Sequence, residues 1–416
     1  MNESISRDDG VEGTMSGDDR TATVVGGGIA GMAAAVVLAR AGWHTTVLES
    51  RTGPGEVGAG VALPLNGVAA LRSLGLDDDR IDALGHETLG TGFRDTTGRP
   101  ILLIPDDVEE VRRVATIHGF HRRRLHTALE QSAREQGAEI VTGARVTGLT
   151  PGIPGGARAA VSWRGSAGED RRAESDLVVG ADGMWSAVRG ALFPGMRPTY
   201  SGSTSWRAIV PDTELDGRLA EYWGPGAEFG AMRVSDTELY WYGYVRAPEG
   251  AVVGDEHATA RARFAGWAPE VVDLIERTTP DRLMRHDVHH LRGGLPTYVR
   301  GRVVMTGDAA HAALPTMGQG ASTALEDAVA LGTLIADPVA AGADQAEALR
   351  RFDAERRPVC RSIARQAEFV AKVGADLGGG ARQTVRNALL RMVPVRALTL
   401  TWASALGLSE RSRSQS

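Results

Sequence analysis

The chain has 416 residues, 42% of them hydrophobic, enough for a buried core in two or three domains. Its net charge of −6 gives no global basic signal for nucleic acid. Cys360 is the single cysteine, which excludes a disulfide framework or a cysteine-rich metal site and fits a reducing, cytoplasmic setting.

Residues 1–20 are rich in Asp, Glu, Ser and Gly and read as a disordered extension, without the apolar run of a signal peptide. No stretch reaches the roughly 18 apolar residues of a membrane span. Val24–Ala41 comes closest, but its glycines and Arg40 place it in a nucleotide fold.

Thr21–Val25 is a short β-prone run. Gly26-Gly27-Gly28-Ile29-Ala30-Gly31 follows, then helix-forming residues from Met32 to Arg40, closed by Gly42. His44–Leu48 is a second strand with Glu49 at its end. This is a βαβ dinucleotide-binding unit. Gly26 permits the tight turn, Gly28 lets the backbone approach a pyrophosphate, and Gly31 lets helix and strand pack closely. The helix N-terminus presents unpaired N–H groups to the phosphates, and Glu49 is placed to accept ribose hydroxyls.

Asp176–Gly180 is another buried strand pattern, ending in Ala181-Asp182-Gly183 with Ser186 and Arg189 beyond. Asp182 is expected to organise its loop through backbone N–H groups rather than do chemistry. Arg189 has two readings, loop support or contact with a pyridine nucleotide, and the structural one is preferred. From Ser201 to Val245 the pattern changes: Trp206–Val210, Phe229–Val234 and Leu239–Val245 read as strands. Tyr240, Tyr242 and Tyr244 alternate and so share one face, with Trp241 on the other. Which face looks onto a cavity is left open, and so is whether Arg207 binds an anionic substrate or is architectural. Phe264–Ile275 reads as one helix. His286, His289 and His290 suggest metal only weakly, and no metal site is expected.

Arg302–Thr306 is a further strand, ended by Gly307-Asp308-Ala309-Ala310-His311, then Pro315 and Gly318-Gln319-Gly320 opening a helix. Strand-end carboxylates in α/β sheets are placed to bind ligands. His311 is read as structural rather than as a base. After Pro358 the chain is helical by pattern, and Gln383–Leu406 reads as a helix packed on the nucleotide domain or at a homodimer contact, with a membrane-surface helix as the alternative.

These three glycine-centred signals, in this order, resemble the single-component (class A) FAD-dependent aromatic hydroxylases, or flavoprotein monooxygenases, including salicylate-hydroxylase-like and urate-hydroxylase-like members. The resemblance runs from about Thr21 to about Pro358. It implies an α/β fold: a Rossmann-like FAD-binding domain with an inserted mixed antiparallel-sheet substrate domain and a C-terminal helical region. The implied boundaries are 1–20 extension, 21–85, 111–195 and 296–345 FAD-binding, 86–110 and 196–295 substrate-binding, and 346–416 helical. Asp308 then takes the ribityl hydroxyls of FAD, and the Gly318–Gly320 helix start stabilises the charge of reduced flavin. Gly58–Asn66 is similar to the family's flavin-side loop, and Arg122 of His121–Leu125 to its flavin-contacting arginine; Arg123 and Arg124 read as a solvated turn. Ala30, Val146 and Asp182 join the implied FAD contacts. Met232, Arg207, Tyr240, Tyr242 and Tyr244 join the implied substrate face, with Arg207, Tyr242 and Pro315 nearest the chemistry.

The implied activity uses NADH or NADPH as a transient reductant and O2. It hydroxylates an aromatic or conjugated small molecule through a flavin C4a-hydroperoxide. Epoxidation, Baeyer–Villiger insertion and antibiotic modification on the same scaffold are alternatives, followed by a non-oxygenating reductase or dehydrogenase. A flavin halogenase needs an active-site lysine, and Lys372, the only lysine, lies outside the matching region.

Overall fold

A computed structural model describes residues 20–53, 59–105, 107–211 and 218–394. The expected extension before Arg20, Gly58 of the flavin-side loop and the C-terminal pattern beyond residue 394 lie outside them.

Three sheets organise the chain. The first has six strands in the order β17 (Val299–Arg300), β18 (Val303–Met305), β11 (Leu177–Gly180), β1 (Thr21–Val25), β2 (His44–Glu49) and β7 (Glu139–Thr142). All its pairs are parallel except β17–β18. Its central strands β11 and β18 are apolar and β1 is buried from Ala22 to Val25, as a sheet covered on both faces requires. One cover is the helix Ile29–Arg40, whose Ala33 to Leu38 are all buried. A small antiparallel sheet of β10 (Asp170–Ser175), β9 (Ala159–Arg164) and β8 (Arg145–Thr150) lies beside it.

The large sheet runs β16 (Met284–His290), β12 (Thr199–Pro211), β15 (Glu238–Arg246), β14 (Ala227–Ser235), β13 (Arg218–Gly224), β4 (Gly85–Arg94), β6 (Thr116–His121) and β3 (Gly60–Pro64), with β5 (Pro100–Leu103) paired to β4. Only β13–β4 is parallel. The strands expected over 206–210, 229–234 and 239–245 are the cores of β12, β14 and β15. Strand β13 was not anticipated.

The two faces of this sheet differ. Trp206, Ala208, Val210, Phe229, Trp241 and Val245 pack with Phe264, Val271 and Leu274 in one apolar cluster. The tyrosine row therefore looks the other way, toward the nucleotide-binding half. The helix expected over Phe264–Ile275 is in fact two, Glu256–Phe264 and Pro269–Glu276. Gly266 has φ +77° and Pro269 starts the second helix, so the chain turns between them.

The long helix Gln345–Val373 carries Pro358 inside it, and Ala381–Arg391 follows. The latter packs on β5, and its buried Arg386 lies over the Trp223 ring at 5.2 Å. It thus covers the large sheet, where the sequence reading preferred the nucleotide domain or a homodimer contact. No helix among the described residues is long and apolar enough to cross a membrane.

Candidate active site

The three glycine signals, far apart in sequence, end three adjacent parallel strands. Strand β1 pairs with β11, and β11 with β18. Their carboxyl ends form one edge, where ligands bind in open α/β sheets. The glycines make this possible by close contact. A Cβ on Gly26, whose φ is +100°, would lie 2.5 Å from Ala181 O. One on Gly31 would overlap Gly26 O, and one on Gly307 would lie 2.8 Å from Ala30 Cβ. Ala30 therefore joins the first signal to the third.

At Gly28 the opposite holds: a Cβ there would meet nothing within 4 Å. The helix it starts has no side-chain cap, so its first N–H groups are open to an anion. Glu49 is anchored beside it, accepting from Gly27 N through Oε2 at 2.8 Å and from Arg51 N through Oε1 at 2.8 Å. Burial pushes this carboxyl up, but the Arg51 and Gly27 amides outweigh it and hold the pKa below the ordinary value. Val146 lies on β8, close behind the loop in which Ala144 N donates to Glu49 O at 2.8 Å. His126 went unnoticed in the sequence. It sits four residues after Arg122 on the helix Arg122–Glu135 and bonds Gly27 O at 2.6 Å.

Asp182 does not offer its side chain to a cofactor. Its carboxylate accepts from the Ser186 hydroxyl and, at 3.0 Å, from Val188 N, so it is committed to the start of the helix Ala187–Leu192. Arg189 is buried and donates to the carbonyls of Met184, Met196, Asp308 and Ala309. It ties the second signal to the third, which is the structural reading.

Asp308 stands exposed between buried neighbours at the end of β18. Beyond it, Pro315, Gly318 and Gly320 are exposed. Gly318 has φ +61°, and the helix Gly320–Leu331 starts without a side-chain cap. Gln319 is buried and accepts from Asn66 Nδ2 at 3.2 Å, which fixes this loop to the helix Leu65–Ser73. His311 bonds Asp327 at 2.6 Å and is enclosed, which agrees with the structural reading.

These open elements fit an extended dinucleotide: two uncapped helix starts, with a carboxylate at the end of β2 and another beyond β18. The chain matches the family described as FAD binding domain over residues 19–367. The chain belongs to the FAD-dependent flavoprotein monooxygenases. It is 36% identical over 357 residues to the aurachin C monooxygenase/isomerase of Stigmatella aurantiaca, covering 84% of this chain and 87% of that protein. It is 31% identical over 382 residues to the 2-heptyl-3-hydroxy-4(1H)-quinolone synthase of Pseudomonas aeruginosa, covering 90% and 94%. Its fold is similar to that of Klebsiella pneumoniae HpxO complexed with FAD and uric acid, with TM-score 0.79, 26% identity, and coverage of 93% and 96%.

The monooxygenase's expected substrate residues divide. Tyr244 is 1% exposed and lies in an apolar cluster with Val288, Leu314, Ala367 and Ala371, so the long C-terminal helix covers it and it serves packing instead. Tyr240 and Met232 are also enclosed, in a cluster with Ala59 and Val234. The Tyr240 ring fills the place of a side chain at Gly60. Arg207 and Tyr242 keep partial access and stand opposite each other in the β12–β15 register. Arg122 is exposed at its helix start, whereas Arg124 is not simply solvated: it pairs with Glu238 of β15 at 2.6 Å.

Proposed function

We propose that this monooxygenase uses NADH or NADPH and O2 to hydroxylate a planar, conjugated heteroaromatic molecule of the 4-quinolone type. One observation carries the reading. The partly accessible pair Arg207 and Tyr242 lies on the face of the large sheet turned toward the nucleotide-binding half, and among the described residues Arg207 makes one side-chain hydrogen bond, from Nε to Ser205 Oγ at 3.3 Å. A carbonyl or oxyanion of the substrate suits that guanidinium. The quinolone in the name of the Pseudomonas aeruginosa relative supplies the ring class.

When bound and reduced, FAD supplies the activation of O2 for transfer of one oxygen atom. The chain's residues hold and orient. The uncapped start of Ile29–Arg40 and Gly28 take the pyrophosphate, Glu49 and Asp308 take hydroxyls, and the Gly320–Leu331 start faces the flavin ring. Arg207 and Tyr242 position the substrate, and the packed Tyr240 and Met232 exclude water around it. A cytoplasmic setting with reduced nicotinamide belongs to the same proposal.

The test is NAD(P)H oxidation by the FAD-loaded protein with a 2-alkyl-4-quinolone, followed by product mass under 18O2. One incorporated label is expected. Cofactor oxidation without labelled product would reject hydroxylation in favour of a reductase.

A further inference from the structure

Two acids on the inner face of the large sheet have no role so far. The register sets Arg207 on β12, Tyr242 on β15, Gly230 on β14 and Glu221 on β13 side by side. Residues opposite each other share a face of the pleat, so Arg207, Tyr242 and Glu221 look the same way. Glu228, two residues before Gly230, joins them. Four strands span three spacings, about 14 Å.

Gly230 makes the ladder work. It has no side chain, and the Tyr242 ring fills the place where one would stand. The Tyr242 hydroxyl thereby reaches across β14 and donates to Glu221 Oε1 at 2.7 Å. Glu221 and Tyr242 are both half-buried.

Glu228 is different. It is 5% exposed, and its carboxyl makes no hydrogen bond or ion pair among the described residues. The charged groups facing it are Glu221 and Asp376, both acids. The cations near Asp376 are Arg246, at 3.6 Å and itself half exposed, and Lys372. Burial pushes the Glu228 carboxyl well above its ordinary pKa, and both acids push the same way. Burial raises Glu221 too, against the bond from Tyr242. A buried polar group without a partner calls for a reason, and a ligand that completes it is one. The face thus holds an open donor at Arg207 and open acceptors at the other end, with Tyr242 between.

We propose that Glu221 and Glu228 form the acceptor end of the substrate site and bind the N–H of a planar heterocycle whose carbonyl or oxyanion lies toward Arg207. This rests on the hydroxylase reading above and narrows its substrate class to ring N–H compounds conjugated with a carbonyl. Two hydrogen bonds of about 2.9 Å on either side of a six-membered ring fit within the ladder's span. The arrangement also helps the chemistry. An acceptor on the N–H strengthens donation from the ring nitrogen into the vinylogous amide, while the cation holds its oxygen in place. Electron density rises on the ring carbon beside the carbonyl, the atom that an electrophilic oxygen attacks.

The test compares three probes on the FAD-loaded protein by the change in flavin absorbance: a 2-alkyl-4(1H)-quinolone, its N-methyl derivative, and the 2-alkylchromone with oxygen in place of N–H. The quinolone is expected to bind the wild type at least about tenfold tighter than either analogue, the scale of leaving a buried acceptor without its donor. Glu221→Met and Glu228→Met should bring it to the analogue level. Glu228→Gln keeps the preference if the N–H is neutral and loses it if the ring nitrogen is protonated; both support the site. Equal affinity for the three probes in the wild type overturns the proposal, and so do Met variants that retain FAD and the preference. If the Met variants fail to hold FAD, the wild-type comparison alone decides. Hydroxylation with 18O of an aromatic lacking N–H, with no preference among the three, rejects this inference and leaves the hydroxylase reading standing.

Discussion

Asp327 lies 2.6 Å from His311 Nε2 through Oδ2, and its other oxygen accepts from Arg356 Nε at 2.8 Å. The same Oδ2 accepts from Gly307 N at 3.0 Å. One fully buried carboxylate thus ties the Gly307 turn of the third glycine signal to the helix Gly320–Leu331 and to the long C-terminal helix. Removing its charge leaves the buried His311 without its partner and Arg356 with Glu326 as its remaining acid. Asp327→Asn is therefore expected to destabilise the protein by about 3–5 kcal/mol and to lower FAD content, because the Gly307 turn presents Asp308. Urea denaturation and the flavin-to-protein absorbance ratio check both. A variant with unchanged midpoint and full FAD would refute the role.

The same cluster sets a pH dependence. Burial opposes the His311 imidazolium, but Cys360 and Asp327 favour it and prevail, so its pKa lies well above the ordinary value. Burial raises Asp327, yet His311 and Arg356 lower it further, to about 2. The His311 contribution is present in full below the unfolded histidine pKa and is lost as pH rises through the raised folded value. The Asp327 contribution is present above the unfolded carboxyl pKa and is lost as pH falls through about 2. Thermal midpoints across alkaline pH should fall in the wild type more steeply than in His311→Gln. Parallel alkaline slopes would contradict the assignment.

Much of the nucleotide half was legible because its constraints are local. A turn at φ +100° in Gly26 and the contact at Gly31 admit little but glycine, so the residues announce themselves. Strand ends at Glu49 and Asp308 follow from short apolar runs. The substrate half was legible only in part. Alternation put three tyrosines on one face, but which of them stays accessible depends on Gly60, which seats Tyr240, and on the C-terminal helix, which covers Tyr244. Glu221 and Glu228 carry no local signal, because their meeting is set by strand register. An acid after a strand reads the same whether it caps a helix or faces a ligand, and the bonds of Asp182 to Ser186 and Val188 N agree with the loop-organising reading.

Glu49 and Asp308 bracket the cofactor from the ends of β2 and β18. Glu49→Ala and Asp308→Ala are each expected to weaken FAD binding by about 1–3 kcal/mol, the range for a lost charge-assisted hydrogen bond. Glu49→Ala should also loosen the glycine turn, since it removes the acceptor of Gly27 N. Added FAD should then raise the melting temperature of either variant more than that of the wild type as purified. Stoichiometric FAD after extensive dialysis of both variants would exclude these roles.

Arg207 and Tyr242 are expected to act on substrate rather than on the fold. Arg207 is half-buried and, among the described residues, its side chain bonds Ser205 Oγ alone, at 3.3 Å, so little of the described structure depends on its guanidinium. Arg207→Ala should raise the substrate KM or lower turnover while FAD content and melting temperature stay unchanged. A joint loss of stability and FAD would instead make it architectural. Tyr242→Phe removes the donor to Glu221 and frees that carboxyl to turn away. The substrate then sits less firmly, and more hydrogen peroxide should form per NAD(P)H consumed, because a misplaced ring leaves activated oxygen without an acceptor. Peroxide yield measured beside product yield reads this directly. Wild-type coupling in Tyr242→Phe, with affinity unchanged, would remove the tyrosine hydroxyl from substrate positioning.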